Sequence, residues 1–122
     1  QARAGAAWLR RAKKGRLKRA AKALRDRRGE DAKRIVRAFF DRQSPVAATC
    51  HGPLLLASAG VLNGRTTSAY PELAIDVELA GATFEGGGDV VDSNLVSARA
   101  WPDNGVWMRA FLKNLEAAGI TA

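Results

Sequence analysis

Cys50, His51 and Gly52 are three consecutive residues whose types and order could perform chemistry. A cysteine thiolate is a nucleophile, an adjacent imidazole can take and return a proton, and a glycine next in line leaves backbone N–H groups open to an oxyanion. The chain holds one cysteine and one histidine, so no internal disulfide can consume the thiol and its surroundings decide its reactivity. A lone cysteine is more often a small buried hydrophobe than a nucleophile. What separates the two readings is the elements that position Cys50.

Residues 46–49, Val-Ala-Ala-Thr, are small and β-branched, the pattern of a strand buried on both faces of a parallel sheet. Residues 51–59 read as a helix containing Leu54 to Leu56 and closed by Gly60. A strand turning directly into a helix puts the turn residue, Cys50, at the carboxyl edge of the sheet, where open α/β folds hold their ligands. There the helix N-terminus favours thiolate over thiol, and the amides of His51 and Gly52 face a developing oxyanion. Gly52, lacking a Cβ, is expected to let the turn form and to let helix and strand approach closely.

The remaining pattern alternates in the same way. Upstream, Glu30 and Asp31 sit in the first turn of a helix whose Ile35, Val36, Phe39 and Phe40 form an apolar stripe expected to be buried; Ser44 and Pro45 end it. Downstream, residues 66–69 suit a short strand. Pro71 suits the first position of a helix carrying Leu73, Val77 and Ala80, stopped by Gly81. Val90 and Val91 face Leu95 and Val96 across Asp92, Ser93 and Asn94, a hairpin pattern. A closing helix over 105–118 aligns Trp107, Phe111 and Leu115, with Asp103 or Asn104 as its cap. Strands alternating with helices predict an α/β layered fold.

Charge divides the chain unequally. Residues 1–43 carry 16 Lys/Arg against 4 Asp/Glu, and residues 44–122 carry 4 against 8. Residues 8–28 are strong helix formers with a thin apolar face, and Gly29 is expected to interrupt them. No apolar run approaches the ~20 residues of a membrane span, and the dense charge of 10–28 stands where a secretory signal would need apolar residues. A cytoplasmic location is the expectation.

The run Val46-Ala-Ala-Thr-Cys-His-Gly-Pro-Leu-Leu-Leu-Ala-Ser-Ala-Gly-Val-Leu-Asn-Gly-Arg65 closely resembles the nucleophile elbow of the PfpI family, within the class I glutamine amidotransferase-like superfamily. The likeness continues through Thr67-Ser-Ala-Tyr-Pro71, Ala80-Gly-Ala82, Val90-Val-Asp-Ser-Asn-Leu-Val-Ser97 and Trp107-Met-Arg-Ala-Phe-Leu112, and upstream to about Gly29. The resemblance implies the C-terminal part of a flavodoxin-like three-layer α/β/α sandwich. It further implies Cys50 as nucleophile, His51 as its imidazole, Gly52 in the elbow, and cofactor-free peptidase, glyoxalase or deglycase-like chemistry on a peptide or small carbonyl substrate. A homo-oligomer is implied as well.

The resemblance is incomplete. Leu24 stands where family members carry an acid that orients a histidine, and Asp26 is out of register; the family's glutamate from its first strand has no counterpart either. The sequence therefore suggests a truncated, catalytically impaired form. It divides into a basic N-terminal segment, 1–28, helical or disordered, and a PfpI-like part, 29–122. The abrupt change near Gly29 fits either a divergent helical extension or a shifted reading frame or gene fragment, and the second is favoured because the segment keeps little turn or capping logic.

The competing reading is a nucleic-acid-binding module acting through the basic helix of 10–28, weak and non-specific, against the plainer alternative of a solvated charged segment. Tyr70 and Pro71 could border a pocket, but fixing the start of the next helix is the simpler role. Trp101 and Trp107 suit the core better than a ligand. Glu72, Asp76, Glu78 and Glu85 spread over a solvated face with no second histidine, so no metal is assigned.

Overall fold

Residues 46–49 do form a strand, β1 (Val46–Thr49), and it runs parallel to β5 (Leu95–Ala98) with Val46 opposite Leu95 and Thr49 opposite Ala98. These relations come from a computed structural model that describes Lys14, Lys18 and residues 29–120. The chain divides into two units, Gln1–Ala32 and Lys33–Ala122, and the second contains every element named below. The expected basic helix over 8–28 lies outside the described residues, save Lys14 and Lys18, which are helical.

The expected hairpin is present. β4 (Val90–Asp92) pairs antiparallel with β5, so the three-stranded order is β1-β5-β4. This places β5, not β1, in the middle. All four β5 residues are buried, whereas only Ala48 of β1 is, because β1 has a strand neighbour on one side alone among the described residues. The expectation that residues 46–49 form a strand buried on both faces therefore fails, and β5 is the strand buried throughout.

A second, two-stranded parallel sheet pairs β2 (Thr66–Thr67) with β3 (Thr83–Phe84). β2 is shorter than expected because Ser68 leaves the ladder to donate its N–H to Ser97 Oγ at 2.8 Å. Side chains stitch the two sheets together. Asp92 Oδ2 accepts from Thr66 N–H at 2.7 Å, and Thr67 Oγ1 lies 3.2 Å from Ser97 Oγ. Every member of the Thr67, Ser68 and Ser97 cluster is buried, so each bond satisfies a group that would otherwise be costly to desolvate.

Helices cover the sheets. Residues 33–41 are helical and form α1; the segment that Gly29 was expected to interrupt, 8–28, lies outside the described residues save Lys14 and Lys18. α2 (Gly52–Ser58) follows β1 directly, and its chain leaves through Gly60 at φ +77°. Pro71–Leu73 make a 3-10 turn leading into α3 (Ala74–Leu79), and Gly81 at φ +90° ends that segment as expected. α4 (Asn104–Ala117) presents Trp107, Phe111 and Leu115 as a half-buried stripe.

The core gathers Phe40, Ala48, Leu56, Leu62, Ala69, Val77, Ala82 and Leu95. Of the expected α1 stripe, Phe40 is buried and Val36 packs against the core, but Ile35 and Phe39 are exposed. Four apolar residues within six positions span more of the helix circumference than the core covers. Trp101 also departs from expectation: it is 80% exposed, while Trp107 donates its indole N–H to Val96 O at 3.1 Å.

Candidate active site

β1 ends at Thr49 and α2 begins at Gly52, so the chain must reverse direction within two residues. Cys50 makes that reversal in the left-handed region, at φ +60°. For a residue with a Cβ this conformation costs about 1–2 kcal/mol, and surrounding bonds hold it in place. Its N–H donates to Ala98 O at 3.3 Å, and its carbonyl accepts from Tyr70 N–H at 2.9 Å. The expected role of Gly52 in the turn needs correction. The positive φ belongs to Cys50, and a Cβ on Gly52 would meet only Ala48 Cβ, at an ordinary 3.7 Å.

His51 follows as the N-cap of α2. Its Nδ1 lies 3.2 Å from Cys50 Sγ, within hydrogen-bonding distance for sulfur, and its ring stacks on Tyr70 with centroids 5.4 Å apart and planes 18° from parallel. Cys50 is half-buried and His51 exposed. Neither the His51 nor the Gly52 amide donates to a backbone carbonyl among the described residues, and Pro53 contributes no N–H at all. The turn therefore offers a thiol, an imidazole and two uncommitted N–H groups in one short arc. Among the described residues, no carboxylate contacts His51.

Tyr70 does two things. It is the N-cap of the 3-10 turn, its carbonyl accepting from Leu73 N–H at 2.8 Å, which is the start-of-helix role expected from sequence. Its ring also braces His51, which sequence reasoning passed over. Ser97, missed entirely, fixes Ser68 two residues before Tyr70 and so positions that ring indirectly.

A further pair stands at the end of β5. Of the two residues expected at the cap of α4, Asp103 and Asn104, Asp103 is the N-cap, but its carboxylate makes no cap bond and instead binds Arg99. Arg99 donates from Nε to Oδ2 at 2.9 Å, from Nη2 to Oδ1 at 2.8 Å and from its backbone N–H to Oδ2 at 3.2 Å. The hydrogen bonds from Arg99 hold the Asp103 carboxyl below the usual carboxylate range, and the same pairing raises Arg99. The signal in the sequence was an arginine and an aspartate four apart across a strand end and a helix start.

A sequence model of the DJ-1/PfpI family matches residues 19–114. The chain belongs to the DJ-1/PfpI family. The match begins inside the segment assigned above to the basic N-terminus. Among curated relatives, Deglycase PH1704 of Pyrococcus horikoshii is 45% identical over 92 residues, covering 75% of this chain and 55% of that protein. Protein/nucleic acid deglycase 2 of Escherichia coli is 43% identical over 84 residues, 68% of this chain and 49% of that one. The chain thus spans about half the length of the curated relatives it matches. Among solved structures, a ThiJ/PfpI domain protein from Brachyspira murdochii superposes with a TM-score of 0.63 at 20% identity, covering 70% of this chain and 50% of that one.

This is the α/β, flavodoxin-like fold expected from the alternating strands and helices, and the match covers its C-terminal part. Among the described residues of this family member, no helix is long and apolar enough to cross a membrane. The segment that carried the nucleic-acid reading, 10–28, lies outside the described residues apart from Lys14 and Lys18.

Proposed function

We propose that the DJ-1/PfpI site of this chain performs cysteine chemistry on carbonyl groups, of the deglycase-like kind named for its relatives, with Cys50 as nucleophile. The observation that carries the proposal is Cys50 at φ +60°, with its Sγ 3.2 Å from His51 Nδ1. Strain of this kind persists where surrounding structure over-determines it, and it clusters at functional sites. In the reaction, His51 Nδ1 accepts the thiol proton and the thiolate forms an S–C bond to the carbonyl carbon. The π pair moves to oxygen, where the amides of His51 and Gly52 stabilise the charge and His51 returns the proton. The product of this step is a hemithioacetal, and no cofactor enters it.

Turnover beyond that adduct is weak in this proposal. His51 is braced by Tyr70 and by no carboxylate among the described residues, and Leu24 occupies the place of the family acid. Losing one member of a catalytic unit costs orders of magnitude in rate. The division at Gly29 and assembly into a homo-oligomer belong to the same proposal.

The test combines three measurements with Cys50→Ala as the blank: methylglyoxal consumption, cleavage of a fluorogenic peptide, and intact mass after methylglyoxal exposure. The expected result is a Cys50-dependent adduct with little steady turnover of either substrate. Failure of Cys50 to react unless the protein is denatured would refute the nucleophile reading. Rapid Cys50-dependent turnover would refute the impairment.

A further inference from the structure

We propose that Arg99 selects the substrate: its guanidinium receives an anionic substituent, such as a carboxylate, on the electrophile that Cys50 attacks. The inference rests on Cys50 being the nucleophile.

Thr49 and Ala98 are partners in the parallel β1–β5 ladder. Cys50 and Arg99 each follow one of those partners, so both leave the same sheet edge from strands about 4.8 Å apart. The extended Ala100, at φ −169° and ψ +179°, carries the β5 direction one residue further. A cleft of about 320 Å³ opens there, lined by Tyr70, Pro71, Arg99, Ala100, Pro102 and Asp103. Tyr70 is common to cleft and nucleophile, since its N–H holds the Cys50 carbonyl and its ring stacks on His51.

Within that cleft the two charges face differently. The Asp103 side chain is only 10% exposed and lies against Gly88, where an added Cβ would stand 2.8 Å from its Oδ1. The Arg99 side chain is 46% exposed. A guanidinium has five N–H donors, and two of them are used by Asp103. The remaining three have no protein acceptor among the described residues. Asp103 thus locks the planar fork in one orientation and leaves its outer edge free for a second carboxylate. Arginine suits this better than lysine, because the fork matches carboxylate geometry.

The test uses two alkylating agents that share a leaving group and differ in charge, iodoacetate and iodoacetamide. The Cys50 thiolate displaces iodide from either one, and Cys50 is the only thiol in the chain. Second-order rates are measured on the full chain, on Arg99→Gln and on Arg99→Lys, with thermal unfolding recorded for each. The expected result is a fall of about threefold to tenfold in the iodoacetate/iodoacetamide rate ratio for Arg99→Gln, as for a charge-assisted contact at a half-exposed site. The iodoacetamide rate stays within about twofold, and Arg99→Lys restores part of the ratio. Without any substitution, added salt should lower the wild-type ratio. A ratio unchanged by Arg99→Gln and by salt, with Cys50 still reactive, overturns the proposal alone. Wild-type Cys50 inert to both reagents overturns the nucleophile reading and this inference with it.

Discussion

Replacing Cys50 by glycine should make the protein more stable than replacing it by alanine, although both changes destroy the nucleophile. Each variant loses the 3.2 Å contact between Sγ and His51 Nδ1, so that term cancels and the comparison isolates the backbone at φ +60°. Alanine there bears a left-handed cost of about 1–2 kcal/mol. Glycine escapes it but gives up about 0.4–1 kcal/mol through its freer unfolded chain. The net gain for glycine then lies between about 0 and 1.6 kcal/mol, centred near 0.8 kcal/mol, or about 3–4 °C in Tm for a domain of this size. Gly60 supplies an internal standard: it sits at φ +77° with nothing within 4 Å of a built Cβ. Gly60→Ala therefore measures the same quantity with opposite sign and no steric contribution. Thermal unfolding by circular dichroism at neutral pH, under reducing conditions, reads all three variants. If Gly60→Ala is destabilising while Cys50→Gly is no more stable than Cys50→Ala, the elbow is not strained and the reasoning from its geometry fails.

Leu62 is fully buried in the core, so Leu62→Ala should cost about 3 kcal/mol in chemical denaturation. Ser97→Ala should cost about 1–3 kcal/mol by stripping the buried Ser68 N–H of its acceptor, and should shift the His51 ring resonances in NMR through Tyr70, where a merely local effect would leave them unmoved. The Asp103 carboxyl is lowered by its bonds to Arg99, so its stabilisation is present above the unfolded value of about 3.9 and is lost as pH falls through the lower folded value. The Tm advantage of wild type over Asp103→Asn should accordingly hold at neutral pH and shrink steadily as the pH is taken below the unfolded value; an advantage that does not shrink in acid would contradict the pairing.

Local chemistry made much of this site legible. Small β-branched residues before Cys50 and leucines after it forced the strand-to-helix turn, and Gly60 and Gly81 stopped segments where their positive φ values now lie. What depended on distant partners was not legible. Periodicity put Ile35 and Phe39 on an apolar stripe, but whether anything covers a stripe is a tertiary matter, and both are exposed. β3 has two residues, too few for alternation to register. Gly52 looked like the residue that permits the turn, while the bonds from Cys50 to Ala98 and Tyr70 place that burden on the cysteine. Asp103 had the right identity and position for a cap, and only the folded position of Arg99 shows why its carboxylate points elsewhere.

The stack of Tyr70 on His51 beside Cys50 has a practical side, because the chain contains one tyrosine, one histidine and one cysteine. Each of these three side chains is thus the sole representative of its type, and none shares its signal with another residue of the same kind. The imidazole and phenol ring resonances in NMR and the count of reactive thiols all report on this one locality without a label.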